Sequence, residues 1–315
     1  TDIDDTIKSS GGVALAGIPL GGVDTSYSRG SFYPGVFSFA AELAVQSAGI
    51  GRRPQPVAVL TARAREFREF LEIRQSDKLC VGFRERGAAR GHPDWGIGPV
   101  LYGSVQEWIC QDRKGWRKYE NFKLLRAGKL PPQQERSSRS SGAAATAEAA
   151  AAAAAAADNR GRRYVFVGDN GRSEKDLQAA QLIIDEFPSD LDAVFLHAVS
   201  ESTQPAPLPE DSEYGNVPIR YFRTYPMAAA KANELGLLSA AAARRVLADT
   251  EADMRADPIN VPPGSDNERL LRAEMEEAEA AIGRFGVVPK RLGPVRRPLK
   301  RLRALVPRRP AAVAQ

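Results

Sequence analysis

Two aspartates at the start of the chain are spaced to act on one cation or one phosphate. Asp2 and Asp4 are two residues apart, and Thr6 follows them. At the end of a strand both residues can reach one cation beyond it, one of them through its backbone carbonyl. Mg²⁺ prefers oxygen ligands of this kind, and a carboxylate can also attack phosphorus to form an aspartyl-phosphate. The alternative is an acidic loop or helix cap without chemistry.

A second acidic motif directly follows an apolar run. Gly168 and Asp169 come after the stretch 164–167, and Glu174 and Asp176 follow a few residues later. Parallel α/β sheets bind ligands beyond the carboxyl ends of their strands, so Asp169 is predicted to lie at that edge. The alternative is an ordinary strand-to-helix turn, for which Asp, Asn and Gly are typical.

A hydroxyl and a lysine extend this set of chemical groups. Thr61 follows the apolar run 56–60 and precedes a charged stretch of helical spacing. In that place it can donate to a phosphate oxygen or cap the helix. A lysine beside a phosphoryl group offsets charge that develops during transfer. Spacing does not decide among Lys114, Lys118 and Lys123.

The elements that must position these residues alternate along the chain. Strands separated by helices indicate a parallel sheet covered on both faces, so we predict an α/β fold. The histidine at 197, at the end of one predicted strand, either contacts a ligand or is structural. Apolar runs predict strands at 56–60, 164–167, 193–196 and 219–222, and helical spacing predicts helices at 34–48, 63–72, 108–125, 177–187, 226–247 and 267–284.

Composition and charge exclude several classes of protein. With 43% hydrophobic and 26% charged residues the chain is globular in type, and two cysteines are too few for a disulfide scaffold. No apolar run approaches the roughly 20 residues that span a bilayer. After Glu279 the chain has ten basic residues and no acidic one, so the net charge of +5 hides an acidic body and a basic tail.

In chain order, the motifs resemble those of the haloacid dehalogenase superfamily of phosphatases. That order is Asp-x-Asp-x-Thr, a Thr after a strand, a Lys, and Gly-Asp after a strand. The chain is most similar to the catalytic domain of fungal actin-patch-associated phosphatidate phosphatases and their plant and algal relatives. The resemblance covers roughly residues 1–225 apart from the insert described below and implies a Rossmann-like fold. The matching stretches are DIDDTIKSSGG, YPGVF, VLTARAREF, RKGWRKYENFKLL, YVFVGDNG and AVFLHAVS.

The resemblance implies a catalytic role for each motif residue. Asp2 would be the nucleophile, and Asp4 the general acid and base. Thr61 and Lys118 would contribute to both catalysis and phosphate binding. Thr6 belongs to the first motif and would lie in the substrate site.

The resemblance also implies a Mg²⁺ site. Its ligands would be Asp2, the carbonyl of Asp4, Asp169 and a second acid of the last motif. Asp176 is preferred over Glu174 for that second acid. Because the sequence starts at Thr1, we expect the strand ahead of Asp2 to be incomplete and this motif to be less firmly held.

The implied organisation is a phosphatase domain followed by two extensions. The phosphatase domain would span 1–250, interrupted by an Ala-rich low-complexity insert at 127–163. A helical extension would occupy 251–283 and a basic, Pro-rich tail 284–315. Within the domain, the Gly-rich segment 11–35 is predicted to be a flap that contacts substrate through Tyr27, Phe32 or Tyr33, the alternative being a long surface loop.

The function implied is a Mg²⁺-dependent phosphatase acting on phosphatidic acid or a related phosphomonoester. The alternative is a non-catalytic phosphate-binding module that serves as a membrane adaptor. The segment 284–309 either contacts an anionic membrane peripherally or is a solvated tail. No nucleic acid is expected as a partner, because beyond Phe285 the tail lacks aromatic residues for base stacking. The chain is expected to be intracellular, soluble or peripheral to a membrane, with the compartment open and a plastid included.

Overall fold

A computed structural model gives the fold of the chain. It describes residues 1–12, 22–49, 51–64, 77–103, 114–128, 162–171, 174–199 and 207–284, together with two short strands between 14 and 19. Most of the predicted helix 63–72, most of the insert 127–163 and nearly all of the tail 284–315 lie outside the described residues. Within the described part of the chain, no helix has the length and apolar character needed to cross a membrane.

Strands and helices alternate along most of the described chain, as the sequence predicts. The strands are β1 Ala14–Leu15, β2 Ile18–Pro19, β3 Val57–Ala64, β4 Ile97–Gly103, β5 Tyr164–Asp169, β6 Leu191–His197, β7 Ser212–Tyr214 and β8 Val217–Phe222. The helices are α1 Val36–Ala48, α2 Lys78–Ala89, α3 Lys114–Arg126, α4 Lys175–Glu186, α5 Tyr225–Glu234, α6 Ala240–Ala256 and α7 Asp266–Arg284. The elements α2, β4 and β7 have no counterpart in the sequence prediction.

The first two residues join two groups of parallel strands. β3 pairs parallel with β4, while β5, β6 and β8 pair parallel in that order, with β7 antiparallel at the edge. The carbonyl of Thr1 accepts a hydrogen bond from the Leu60 nitrogen at 2.8 Å, and the Asp2 nitrogen donates to the Val167 carbonyl at 3.0 Å. Residues 1 and 2 therefore lie between β3 and β5. The α/β prediction is confirmed at this level, and the arrangement is compatible with a Rossmann-like fold.

The sheet is buried on both faces. Along β6, Phe195 belongs to a core cluster that also contains residues of α1, α5 and α6, whereas Val194 and Leu196 belong to a second cluster with residues of α3 and α4. Successive side chains of a strand point to opposite faces. A strand covered by helices on both sides reads as a continuous apolar run, which is why this one is visible in the sequence.

The helix predicted at 226–247 is wrong in one respect, because it is two helices. α5 ends at Glu234 and α6 begins at Ala240. Between them Gly236 has a left-handed φ of 73°, which favours glycine at a helix end. The Ser239 side chain then accepts a hydrogen bond from the Ala242 nitrogen at 3.2 Å and caps α6. The high helix propensity of the surrounding alanines concealed this break.

A buried carboxylate ties the helices of one face together. Glu42 of α1 is fully buried, and Arg245 of α6 donates two hydrogen bonds to it, both at 2.7 Å. Arg90, which follows α2, also donates to Glu42 and to Asp249 of α6. A buried charge is tolerated when it is paired and hydrogen-bonded, so these contacts link α1, α2 and α6 through one side chain.

We expect Glu42→Ala to lower the free energy of unfolding by about 3 kcal/mol, because it removes the buried partner of Arg245 and of the largely buried Arg90. Urea denaturation measures this loss. Glu279→Ala is the matched control, since Glu279 and Arg244 form a 2.7 Å ion pair whose side chains are about half exposed. Its loss should stay below about 1 kcal/mol. Equal losses in the two variants would contradict the role assigned to Glu42.

Candidate active site

Three carboxylates meet at the carboxyl ends of the central strands. Asp2 follows the Thr1 position between β3 and β5, Asp169 ends β5, and Asp176 lies in the first turn of α4. One oxygen atom of each lies within 4.8 Å of the other two. Asp2 is 7% exposed and Asp176 2%. The fold thus brings the first motif together with the last one, which is far away along the chain.

A single lysine reaches into this carboxylate cluster. Lys118 of α3 is 3% exposed, and its ammonium group lies 2.6 Å from Asp2 Oδ2. The same group donates a hydrogen bond to Asp176 Oδ1. Lys123 instead lies near the surface and pairs with Glu120 at 3.2 Å. The side chain of Lys114 is not among those described, so Lys118 is the lysine that the structure places in the site.

Burial and mutual repulsion disfavour the charged forms of the carboxylates. Burial raises the pKa of Asp2 to about 6, against the attraction of Lys118, and the charges of Asp176 and Asp4 add to the rise. Burial and the charge of Asp176 also hold the pKa of Asp169 well above its ordinary value. For Lys118, burial lowers the pKa, but the charges of Asp176 and Asp2 overcome it and the net shift is upward. The lysine is therefore charged.

The cluster fits a divalent cation. One ammonium group cannot balance three carboxylates, and Asp2 Oδ1 is buried without a hydrogen-bond partner in the described part of the chain. Such an oxygen is costly to bury unless something binds it. Hard divalent ions take carboxylate and carbonyl oxygens as ligands. Asp2, Asp169 and Asp176 therefore have the donor set and the charge that Mg²⁺ requires.

A glycine and a turn hold the last motif in place. Asp176 Oδ2 accepts a hydrogen bond from the Asp169 nitrogen at 3.1 Å, and Asp169 Oδ1 accepts one from the Gly171 nitrogen at 2.8 Å. A Cβ atom on Gly168 would lie 2.1 Å from Asp176 Oδ2. Only glycine at 168 therefore lets the first turn of α4 approach the end of β5 this closely.

Two further predicted residues lie outside the carboxylate cluster: Glu174 of the last motif, and Asp4, the predicted general acid and base. Glu174 is exposed at the N-terminal end of α4, so Asp176 is the acid that joins Asp169. Asp4 is half-buried, and its carboxylate is not one of the three that cluster. It is close enough that its charge raises the pKa of Asp2.

The two threonines are more deeply buried than a loop position suggests. Thr61 was predicted to follow a strand, but β3 runs through it to Ala64, so it lies inside the strand and is fully buried. Thr6 is also fully buried, and its hydroxyl has no hydrogen-bond partner in the described part of the chain. The Thr6 carbonyl accepts a hydrogen bond from the Tyr225 hydroxyl at 2.6 Å. The structure therefore places both hydroxyls in the interior.

The aromatic residues of the predicted flap pack into the body of the protein. Tyr33 is buried, and its hydroxyl donates to Asp24 at 2.7 Å. Tyr27 packs edge-on against Tyr33, with ring centroids 5.2 Å apart. Phe32 packs against Phe37 at 4.9 Å. All three side chains therefore have packing partners within the protein, and their contact with substrate stays a prediction.

Sequence reasoning missed Asp5, which lies between the two motif residues Asp4 and Thr6. It is fully buried, and its carbonyl oxygen lies 2.6 Å from Nδ1 of His197. His197 is therefore held by backbone groups, as its structural interpretation predicts. The proximity of Asp5 to the motif was the only signal in the sequence, because its partners lie far along the chain.

The chain was also compared with known proteins. No family model, no curated protein and no solved structure matches it. The positions of the site residues in this chain therefore carry the evidence for its chemistry.

Asp169→Asn should stabilise the protein in the absence of divalent ions, because it removes one of three clustered carboxylates that repel one another. The same change should abolish stabilisation by Mg²⁺. At about 100 times its Kd, Mg²⁺ is expected to stabilise the unchanged protein by about 2.7 kcal/mol. Thermal melts in a chelator and in Mg²⁺ measure both effects. Asp185→Asn, an exposed change on α4, is the control and should respond to Mg²⁺ normally. An Asp169→Asn protein that still responds would exclude this metal site.

Lys118→Met should cost about 3–5 kcal/mol of stability without metal, because it leaves the carboxylates uncompensated. Combining it with Asp176→Asn should recover part of that loss, since the second change removes one of the charges. Urea denaturation of both single variants and the double variant measures the coupling. Strictly additive losses would show that Lys118 does not balance Asp176.

Proposed function

We propose that this chain is a Mg²⁺-dependent phosphatase that hydrolyses a phosphomonoester through an aspartyl-phosphate, with phosphatidic acid as the substrate. One observation carries the proposal. Lys118 holds one oxygen of Asp2 at 2.6 Å, while the other oxygen is buried without a partner among the described residues. A carboxylate held in one orientation, beside two further carboxylates, is arranged for nucleophilic attack at a metal-bound phosphate.

Asp2 would perform the first chemical step. One carboxylate oxygen of Asp2 would form a bond to phosphorus as the bond from phosphorus to the alcohol oxygen breaks. The leaving alcohol takes a proton from Asp4, which is half-buried next to Asp2. A nearby anionic phosphate favours the protonated form of Asp4 that this step needs.

The second step returns Asp2 to its starting form. Asp4, now ionised, takes a proton from water as the water oxygen attacks phosphorus. The bond from phosphorus to Asp2 breaks, and inorganic phosphate is released. One residue thus acts as acid and then as base, and Asp4 lies outside the carboxylate cluster proposed to hold the metal.

The remaining site residues would bind and neutralise the phosphate. Asp2, Asp169, Asp176 and the Asp4 carbonyl would hold Mg²⁺, which when bound neutralises phosphate charge and orients the phosphorus for attack. The Lys118 ammonium offsets charge that builds up on the transferred group. The hydroxyls of Thr61 and Thr6 are proposed as further phosphate donors.

The lipid substrate and the membrane contact are proposed on the resemblance and on charge. The ten basic residues after Glu279, with no acidic residue among them, would bring the chain to an anionic membrane. Each basic residue near such a surface contributes about 1 kcal/mol. The phosphatase chemistry does not depend on this contact.

Asp2→Asn tests the proposal, because an amide cannot form the phosphorylated intermediate but has nearly the same shape. We expect Mg²⁺-dependent phosphate release to fall by at least about 10³-fold. The substrates are phosphatidic acid in mixed micelles and a panel of soluble phosphomonoesters. Asp185→Asn is the control. Asp185 is exposed on α4 and has no proposed role in the site, so this variant should retain activity.

Each outcome decides between the candidate functions. Release from the lipid that disappears in Asp2→Asn supports the full proposal. Release only from soluble esters keeps the chemistry and removes the lipid. No release from any ester, by a chain shown to be folded, would overturn the enzyme and favour the non-catalytic adaptor.

A further inference from the structure

The carboxylate of Asp5 holds two separate stretches of backbone beside the first motif. Its Oδ1 accepts a hydrogen bond from the Ser10 nitrogen at 2.8 Å. Its Oδ2 accepts from the nitrogens of Val23 and Asp24, at 2.5 and 3.1 Å. One fully buried side chain therefore binds three backbone N–H groups. We call these contacts the Asp5 clamp.

The backbone of Asp5 is held as firmly as its side chain. Asp5 has a φ of 57°, a left-handed conformation that is uncommon outside glycine, although aspartate and asparagine adopt it more often than most residues. Its nitrogen donates to the Lys8 carbonyl at 2.8 Å. Its carbonyl lies 2.6 Å from Nδ1 of His197, whose Nε2 lies 3.0 Å from the Arg223 carbonyl. A sparsely populated conformation persists where surrounding contacts fix it, and here they act on both peptides of Asp5.

This geometry fixes the direction of the neighbouring Asp4 carbonyl. In a planar trans peptide, the carbonyl of one residue and the N–H of the next point in opposite directions. Because the Asp5 N–H is bound to Lys8, the Asp4 carbonyl must point away from Lys8. That carbonyl is one of the proposed Mg²⁺ ligands, so this step rests on the proposed function.

The other side of the clamp lies against the loop of the last motif. A Cβ atom on Gly22 would lie 2.3 Å from Asp5 Oδ2, so the chain passes Asp5 in close contact. The adjacent Val23 side chain comes within 3.9 Å of the place where a Cβ on Gly171 would be. The Gly171 nitrogen in turn donates to Asp169 Oδ1. The clamp therefore lies beside both motifs that supply the carboxylates.

We propose that Asp5 is a positioning residue for the metal site. Its N–H, bound to the Lys8 carbonyl, sets the direction of the Asp4 carbonyl. Its carboxylate holds the backbone of Ser10, Val23 and Asp24 beside the two motifs. Groups that orient metal ligands typically affect metal affinity by 10–100-fold when they are changed. A purely structural Asp5 would affect the stability of the protein and leave that affinity unchanged.

Asp5→Asn tests this on the whole chain with Mg²⁺ itself as the probe. Asparagine accepts a left-handed backbone, but its NH₂ group replaces one acceptor oxygen of the clamp. We expect the Kd for Mg²⁺, measured by titration calorimetry, to rise at least about tenfold. Amide hydrogen exchange at Ser10, Val23 and Asp24 should accelerate at least tenfold, and turnover at saturating Mg²⁺ should change less than the affinity.

Asp211→Asn is the matched control. The Asp211 carboxylate also accepts a backbone hydrogen bond, from the Tyr221 nitrogen at 2.9 Å. It lies near β7 at the edge of the sheet, with β8 and β6 between it and β5. Its replacement should leave the Kd for Mg²⁺ unchanged.

Gly22→Ala tests the clamp from the opposite side and serves if Asp5→Asn fails to fold. The added methyl group would displace Asp5 Oδ2, so the Kd for Mg²⁺ should rise in this variant as well. Faster exchange at the three amides with an unchanged Kd would overturn the positioning role. If the unchanged chain binds no Mg²⁺, the proposed metal site fails and the positioning role fails with it. If it binds Mg²⁺ and both variants bind equally well, only the positioning role is wrong.

Discussion

The ion pair of Lys118 with Asp2 and Asp176 is the interaction on which the site depends. It joins α3, the first motif and α4 inside the protein, where 2.6 Å separates the Lys118 ammonium from Asp2 Oδ2. Without the lysine, the three clustered carboxylates would repel one another in a poorly screening environment. With it, three carboxylates share one positive charge, so negative charge remains at the strand ends. The same arrangement that holds the motifs together therefore leaves an electrostatic need that a cation can meet.

The fold makes this arrangement possible by burying the sheet on both faces. β6 is packed by helices on either side, and the first two residues are hydrogen-bonded between β3 and β5. Parallel strands end at one edge of the sheet, so residues from three distant parts of the chain meet there. On one face, the buried Glu42 and its arginines link α1, α2 and α6. The rigid scaffold is separate from the residues proposed to react.

Much of this could be predicted from the sequence, and the failures have physical causes. Asp169 was predicted because an acid directly after an apolar run marks a strand end in a parallel sheet. Asp2 was predicted from its spacing with Asp4, and Asp176 from the resemblance of the last motif. Spacing alone did not distinguish Lys118 from Lys114 or Lys123, because all three lie on one short stretch and only packing decides which is buried. The break between α5 and α6 was hidden by alanine propensity. Asp5 was missed because its partners, Val23 and Asp24, are distant in sequence and its left-handed backbone cannot be read from its type.

The place of residues 1 and 2 in the middle of the sheet has a consequence for biosynthesis. Their hydrogen-bond partners, at 60 on one side and at 167 on the other, emerge from the ribosome long after they do. Contacts between residues this far apart form slowly, because a long loop must close first. The carboxylate cluster cannot assemble until α4 has been synthesised, so a nascent chain that ends before Asp176 lacks one of its three carboxylates.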